Sequence, residues 1–306
     1  MKKVIVTGAT GFIGGELIRK LLKRGITVYG VDIDTPKFEE FKAYSNFIMV
    51  IAEFSMYKKL PQIIVDKDID VFYHFAWAGG FTSAIRDYSL QMQNAVYAGD
   101  ALIAAKEIGC QKFVYAGTYN EFEIRTFLAE EDFKPRYTCI YSTGKTAADL
   151  ICRTLAFQLG INYNIAFIPM PYGENNYSMQ LVNVVIHSLN KGIAPKLIEG
   201  NHLYDLVYID DIAEACIAIG EKGINQRGYY VGHRKLRFFK EWIEDIRNIV
   251  APHIELKFGE YKDTQKIDYS LIDLEALNRD TGFECKADFK DSIKNTAKWV
   301  EENIID

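Results

Sequence analysis

The chain has 306 residues, of which 49% are hydrophobic and 25% are charged, a composition that is ordinary for a globular protein. Its 36 basic and 41 acidic residues are interspersed and give a net charge of -5, which argues against nucleic acid or a membrane surface as a partner. Its apolar stretches fall short of the roughly 18 residues that a membrane-spanning helix needs, and the opening segment is too short a run for a signal peptide, so we expect a cytoplasmic protein. The five cysteines are scattered and form no C-x-x-C pair, so we expect reduced thiols and no metal site.

A glycine-rich turn follows the first predicted strand, residues 4–6, and leads into an apolar periodic helix. Glycine lets a backbone approach a pyrophosphate closely, and the free N–H groups and dipole of a helix N-terminus favour its charge. The turn therefore predicts a dinucleotide phosphate site, with these contacts: Gly8, Thr10, Gly11, Phe12, Ile13 and Gly14.

The second predicted strand, residues 27–31, ends at Asp32. A carboxylate in this position accepts hydrogen bonds from the adenosine ribose hydroxyls and repels a 2′-phosphate. Ile33 follows and no Arg stands beside it to receive that phosphate, so NAD is favoured over NADP. Asp34 is the competing carboxylate.

The third and fourth predicted strands, residues 47–51 and 70–75, also contribute ligand contacts at their carboxyl ends, as is usual in parallel sheets. We predict that Glu53 and Phe54, just after the third strand, lie beside the adenine of the cofactor. Small residues after the fourth strand leave room for a ligand, and the contacts there are Phe75, Ala76, Ala78 and Gly79. His74 lies inside an apolar run and is interpreted as a core histidine that supports the site rather than as a catalytic group.

Tyr141 and Lys145 stand at the head of an apolar run, residues 147–159, that predicts a helix. Four residues apart on a helix, the two side chains share one face. A nearby cation favours the phenolate of a tyrosine, whose ordinary pKa is about 10, so Tyr141 is a candidate acid and base. The fifth predicted strand, residues 112–116, delivers Gly117 and Thr118 at its carboxyl end.

Strands and helices alternate as far as a sixth strand, residues 162–168, with a long helix over about 84–108. This alternation predicts an α/β fold, a doubly wound parallel-sheet Rossmann domain. The alternation ends after the sixth strand, although a helix (212–220) and a strand (229–231) are predicted to return to the first domain. Further helices are predicted near 179–190, 238–250 and 288–304. We therefore predict a dinucleotide-binding Rossmann domain of residues 1–168 and about 206–235, and a smaller mixed α/β substrate-binding lobe of about 169–205 and 236–306.

Several motifs stand in register along the chain: Thr7-Gly8-x-x-Gly11-x-x-Gly14, Asp32, Asn94, Thr118, Tyr141-x-x-x-Lys145, Pro171-Tyr172-Gly173 and Tyr208-Ile209-Asp210-Asp211. Over nearly the whole chain they resemble the extended short-chain dehydrogenase/reductases, in particular the NAD-dependent epimerase/dehydratase family that modifies nucleotide-sugars. The resemblance implies that Tyr141 is the acid/base on a sugar hydroxyl, that Lys145 holds the nicotinamide ribose and lowers the Tyr141 pKa, and that Thr118 bonds the same substrate oxygen. NAD is the implied cofactor, and its further contacts are Asn94, Pro169, Tyr141 and Lys145.

Departures from the family pattern concern the substrate. Dehydratases of the family carry an Asp-Glu pair after the active-site Thr, where this chain has Tyr119 and Asn120, so dehydration is disfavoured, although Glu121 is one residue away. Many relatives have an Arg that binds the sugar-nucleotide diphosphate at the position of Tyr204. They also have an Arg and an Asn before the Tyr-Gly motif, where this chain has Phe167 and Met170. The candidate substrate contacts are Gly79, Tyr119, Asn120, Tyr172, His202 and Arg234, with Lys196 and Arg237 as further candidates for the diphosphate.

The leading hypothesis is an NAD-dependent epimerase/oxidoreductase that transfers hydride at a secondary alcohol or ketone of a nucleotide-sugar, at C4, with Asp32 favouring an epimerase that retains its NAD. The alternatives are an NAD(P)H-dependent 4-ketoreductase of a nucleotide deoxysugar, a dehydratase, and a non-catalytic dinucleotide-binding regulator. The family resemblance also implies a homodimer built from the helices that contain Asn94 and Tyr141. The residues offered for that face, which burial within the protomer explains equally well, are Leu102, Ile103, Leu150, Ile151 and Leu155.

Overall fold

The computed structural model describes residues 1–80, 82–130, 134–136, 138–262 and 267–304. The strands are, in chain order, Lys3–Thr7 (β1), Thr27–Asp32 (β2), Phe47–Ile51 (β3), Val71–His74 (β4), Lys112–Thr118 (β5), Asn162–Ile168 (β6), Met170–Tyr172 (β7), Leu203–Tyr204 (β8), Leu206–Tyr208 (β9), Gly228–Tyr230 (β10) and Arg237–Phe238 (β11). The α-helices are Phe12–Lys23 (α1), Leu60–Ile63 (α2), Tyr88–Ile108 (α3), Glu121–Ala129 (α4), Cys139–Leu159 (α5), Leu181–Asn190 (α6), Ile209–Lys222 (α7), Phe239–Val250 (α8), Ala276–Thr281 (α9) and Phe289–Asn303 (α10).

Seven strands form one parallel sheet in the order β10-β6-β5-β4-β1-β2-β3. Val4, Ile5 and Val6 of β1 are fully buried, as expected for a central strand covered on both faces. Because the chain goes from β1 to β2 and β3 on one side and then returns to β4 on the other, β1 marks the point where the strand order reverses. Ligands bind at the carboxyl ends of the strands at such a point. The sheet, flanked by helices, confirms the predicted doubly wound α/β fold.

The described residues divide into two compact units. The first contains Met1–Ile168, Ala213–Val231 and Ile267–Phe283, and the second contains Pro169–Ile212, Gly232–Lys266 and Glu284–Asp306. This division differs from the predicted one, because residues 206–212 and 232–235 fall in the second unit and residues 267–283 in the first. The segment 267–283 is tied to the first unit by contacts that are distant in sequence. Arg227 pairs with Asp280 at 2.6 Å, and the Lys222 ammonium donates to the Thr281 carbonyl at 3.0 Å.

The second unit contains two small sheets. Strands β7 and β9 pair in parallel, and β8 and β11 pair antiparallel. The hydroxyls of Tyr172 and Ser292 lie 2.7 Å apart in the core of this unit. None of these four strands was predicted, because segments of two or three residues are too short to show a periodic pattern.

Element boundaries differ from the predictions mainly at helices. Helix α7 begins at Ile209 rather than at residue 212, so Asp210 and Asp211 lie in its first turn, where carboxylates are favoured by the helix dipole. Helix α3 begins at Tyr88 rather than at residue 84, because Asp87 caps it by accepting the Leu90 N–H at 3.1 Å. Helix α4 was not predicted. Among the described residues, no helix combines the length and the apolarity that crossing a membrane requires.

Candidate active site

The glycine turn between β1 and α1 can be formed only by glycine at two positions. Gly8 has a φ of +70°, and a Cβ placed there would lie 2.8 Å from the Ala76 backbone nitrogen. A Cβ at Gly14 would lie 2.1 Å from the Gly8 carbonyl oxygen. Gly11 donates its N–H to that same oxygen at 3.0 Å and immediately precedes α1. Phe12, Ile13 and Gly14 are then the first residues of the helix, so the free N–H groups of its first turn follow directly on this closely packed turn.

Asp32 is tied to this turn. One of its carboxylate oxygens accepts both the backbone N–H and the hydroxyl of Thr10, at 2.9 and 2.8 Å, and the other accepts the Ile33 N–H at 2.9 Å. Asp34 is exposed. The structure therefore brings Asp32, rather than its competitor, to the glycine turn.

The other predicted cofactor contacts surround the carboxyl ends of β3 and β4. Glu53 is exposed, and Phe54 stacks on Tyr97 with ring centroids 5.2 Å apart. Phe75, Ala76 and Ala78 are half-buried. The Asn94 side chain accepts the Ala78 N–H at 3.1 Å and donates to the Ala78 carbonyl at 2.9 Å, so that it fixes this loop through its backbone. Pro169 belongs to the second unit.

His74 lies behind these contacts and is buried. Its Nδ1 is 2.8 Å from the Thr7 hydroxyl oxygen, which also accepts the Ala76 N–H at 3.4 Å. Burial, together with the nearby positive charge of Lys145, lowers the pKa of His74 to about 3. The imidazole is therefore neutral and supports the loop.

Thr118, Tyr141 and Lys145 come together at the end of β5 and the first turns of α5. Thr118 and Tyr141 are both buried, and the hydroxyl of Thr118 interacts with the phenol of Tyr141. The Lys145 ammonium donates to the Ala116 carbonyl at 2.8 Å and lies 5.9 Å from the centroid of the Tyr141 ring. Burial raises the pKa of Tyr141, and its interaction with Thr118 opposes that rise. Burial lowers the pKa of Lys145, which the carboxylate of Glu121 opposes.

Three residues at this site were missed by the sequence-based prediction: Trp77, Gln91 and Glu121. Glu121 is buried, and one of its oxygens accepts the Thr118 N–H at 2.9 Å. Its other oxygen has no hydrogen-bond partner within the part of the chain that the structure describes. Burial, and then the charge of Asp149, raise the pKa of Glu121, so the carboxyl favours its protonated form.

The raised pKa of Glu121 predicts a pH-dependent stability. A carboxyl whose pKa is higher in the folded than in the unfolded chain stabilises the fold below its ordinary pKa of about 4.3, and this contribution is lost as the pH rises to the folded value. Above pH ~4.3, we expect the free energy of unfolding of wild type to fall relative to that of Glu121→Gln, by up to about 1.4 kcal/mol for each pH unit. Chemical denaturation of both proteins between pH 5 and pH 8 measures the difference, and a difference that does not change with pH would contradict this role.

The predicted substrate contacts lie in both units. In the first, Gly79 has a φ of +71°, Tyr119 is buried, and Asn120 donates its N–H to the Thr118 hydroxyl at 3.3 Å. In the second, Tyr172 is buried through its hydroxyl contact with Ser292. His202 stacks on Phe239 with centroids 5.4 Å apart, and Arg234 pairs with Glu284 at 2.9 Å.

Known proteins resemble this chain along its length. A family model described as NAD dependent epimerase/dehydratase family matches residues 4–232. A UDP-glucuronate 4-epimerase from Thermodesulfobacterium geofontis is 23% identical and covers 98% of this chain and 96% of its own. A dTDP-D-glucose 4,6-dehydratase from Bos taurus is 24% identical and covers 99% of this chain and 90% of its own. The crystal structure of UDP-glucuronic acid 4-epimerase from Bacillus cereus, in complex with UDP-glucuronic acid and NAD, aligns with a TM-score of 0.79 at 20% identity, over 98% of this chain and 99% of that one.

Proposed function

This chain belongs to the NAD dependent epimerase/dehydratase family, and from that premise we propose that it is a 4-epimerase of a UDP-activated sugar that retains its NAD. The observation that carries the proposal is the meeting of Thr118, Tyr141 and Lys145, because it supplies a hydroxyl donor, an acid/base and a cation at one place. A protein that only senses a dinucleotide has no need of all three. The 4-epimerase among the curated relatives supports the choice of reaction.

The residues around the glycine turn fit NAD. The closely packed glycine turn leads into the N-terminus of α1, which favours the charge of a phosphate group, and Asp32 presents a carboxylate for ribose hydroxyls. Phe54, Ala76 and Ala78 would contact the rest of the cofactor. When bound, NAD supplies a hydride acceptor that later returns the hydride to the sugar.

In the proposed reaction Tyr141, as phenolate, takes the proton from the C4 hydroxyl of the sugar, and Thr118 donates a hydrogen bond to the same oxygen. Lys145 is proposed to stabilise the phenolate by its charge. Burial, and then the charge of Glu121, raise the pKa of Tyr141, and the interaction with Thr118 opposes that rise. Tyr141 later returns the proton to that oxygen, so the net change is the configuration of one carbon.

Asp32 is proposed to set the preference for NAD over NADP. We expect Asp32→Ala to reduce that preference by about tenfold or more, because a hydrogen bond to a charged group is worth roughly 1.5–3 kcal/mol. Asp34→Ala, which removes an exposed carboxylate two residues away, is the matched control and should leave the preference unchanged. Dissociation constants for both cofactors, measured by calorimetry, provide the test, and tighter binding of NADP to wild type would contradict the assignment.

The UDP-sugar class is proposed from the relatives, since Tyr204 replaces the Arg that many family members use for the diphosphate. Tyr204 is buried and packs edge-on against Phe239, so it belongs to the core of the second unit. Thermal unfolding with NAD and a panel of UDP-, dTDP-, GDP- and CDP-sugars tests the class. A ligand at about 100 times its dissociation constant stabilises by about 2.7 kcal/mol, and a larger shift with another nucleotide would overturn the choice of UDP.

We also propose that the enzyme works in the cytoplasm. The five cysteines are free in the structure, and four of them are buried. Free thiols are typical of a reducing compartment, which supports this proposal.

A homodimer is proposed to form through α3 and α5. Leu150 and Ile151 on α5 are 58% and 37% exposed, as an interface requires, whereas Leu102 is fully buried within the protomer and cannot serve it. On α3, beyond Tyr88 at its start, Met92 and Val96 are exposed apolar residues. We expect Leu150→Glu to convert a dimer to a monomer in light scattering, while Leu128→Glu, at an exposed leucine of α4, should not. A wild-type monomer at micromolar concentration would contradict the proposal.

A further inference from the structure

Trp77 is the third residue after β4, where its neighbours in sequence are small. Its indole N–H donates to the Gln91 side-chain oxygen at 2.8 Å. Gln91 is fully buried and donates in turn to the Ala84 carbonyl at 3.0 Å and to the Gly79 carbonyl at 3.4 Å. The indole is therefore held in one orientation by a side chain that is itself held at two points.

In that orientation the face of the indole meets Lys145. The ammonium nitrogen lies 3.9 Å from the ring centroid, well within the roughly 6 Å over which a cation is attracted by an aromatic face, and tryptophan gives the strongest such attraction. The same ring system packs edge-to-face with the ring of Tyr141, with centroids 6.1 Å apart and planes at 87°. One side chain thus contacts both members of the Tyr-Lys pair.

From this geometry we propose that Trp77 is a positioning residue, which holds the Lys145 ammonium over its indole face and beside Tyr141. Lys145 is buried, and an ammonium has three N–H donors, of which one is directed to the Ala116 carbonyl. The indole face stabilises the charge that burial disfavours. The consequence for catalysis rests on the proposed function, since it is there that a charged Lys145 supports the Tyr141 phenolate.

Other titratable groups also act on Lys145, and the test has to separate them from Trp77. They are Tyr141 on the same helix, Glu121 on α4, Tyr115 on β5 and His74 on β4. All four remain in a variant that changes only Trp77. A change in the titration midpoint of Lys145 in such a variant is therefore caused by the loss of the indole.

The experiment is an NMR titration of the NAD-free protein carrying ¹³C,¹⁵N-labelled lysine, with the Lys145 signal assigned by Lys145→Met. Trp77→Leu removes the aromatic face and keeps an apolar side chain. We expect it to lower the midpoint of the Lys145 titration by about one pH unit, since an attraction of about 1.4 kcal/mol corresponds to one unit. A midpoint equal to that of wild type, or above it, in a folded Trp77→Leu protein would overturn the proposal.

Trp77→Phe provides the second variant, because it retains an aromatic face but loses the indole N–H and part of the attraction. Its midpoint should lie below that of wild type by a fraction of a pH unit, and a midpoint at or above wild type would again overturn the proposal. The titration needs no substrate and no turnover. Failure of the proposed epimerase activity would therefore leave this result unchanged, and the two claims can fail separately.

Discussion

Tyr141→Phe is expected to lower turnover by about 10³-fold, because a positioned acid/base contributes roughly 10²–10⁴-fold and the phenylalanine retains only the ring. Binding of NAD should stay within a few-fold of wild type, since the glycine turn and Asp32 are untouched. Turnover measured on a UDP-sugar, together with calorimetry of NAD binding, separates the two effects.

A matched control for this variant is Tyr88→Phe. Tyr88 is 74% exposed in the first turn of α3, so loss of its hydroxyl should leave both turnover and NAD binding unchanged. Wild-type turnover in Tyr141→Phe would refute the catalytic assignment. Equal losses in both variants would show that the effect does not come from the active-site phenol.

Gly14→Ala should abolish detectable NAD binding. Its Cβ would lie 2.1 Å from the backbone oxygen of Gly8, which cannot move aside as a flexible side chain can, so the turn itself must change shape. Overpacking of this kind costs about 1–3 kcal/mol of stability, and we expect the variant to lie at the upper end. Calorimetry with NAD and thermal unfolding measure the two losses.

The adjacent glycine supplies the control for this second variant. A Cβ at Gly15 meets the Arg19 guanidinium at 3.6 Å, an ordinary van der Waals contact. Gly15→Ala should therefore bind NAD normally and gain up to about 1 kcal/mol from the higher helix propensity of alanine. If Gly14→Ala bound NAD as tightly as Gly15→Ala does, the glycine turn would not be the phosphate site.

Local patterns allowed much of the first unit to be predicted from sequence. Strands β3 and β6 have the predicted bounds because β3 is an unbroken apolar run and β6 is mostly apolar. Tyr141 and Lys145 were paired by their helical spacing. Asp32 and Thr10 were both assigned to the cofactor site, but the contact between them was not predicted.

Contacts between distant residues could not be predicted in the same way. Nothing in the sequence distinguishes Trp77 from the other aromatic residues. Its contact with Lys145 forms only in the folded chain, because the two residues are 68 positions apart. Glu121 lies next to the positions that were compared with the dehydratase pair, but its burial depends on α4, which was not predicted. Tyr172 was predicted as a substrate contact from its motif alone, and the contact of its hydroxyl with Ser292 in α10 could not be foreseen.

The most direct test of the central claim is to incubate a catalytic amount of the NAD-loaded protein with UDP-glucuronic acid, UDP-glucose or UDP-N-acetylglucosamine, without added NADH. ¹H NMR of the sugar and absorbance at the NADH maximum are followed together. The account predicts that the C4 epimer of one of these sugars accumulates over many turnovers with no net change in NADH. Absence of any epimer, combined with stoichiometric consumption of NADH when a 4-keto sugar is supplied instead, would contradict it and identify a reductase.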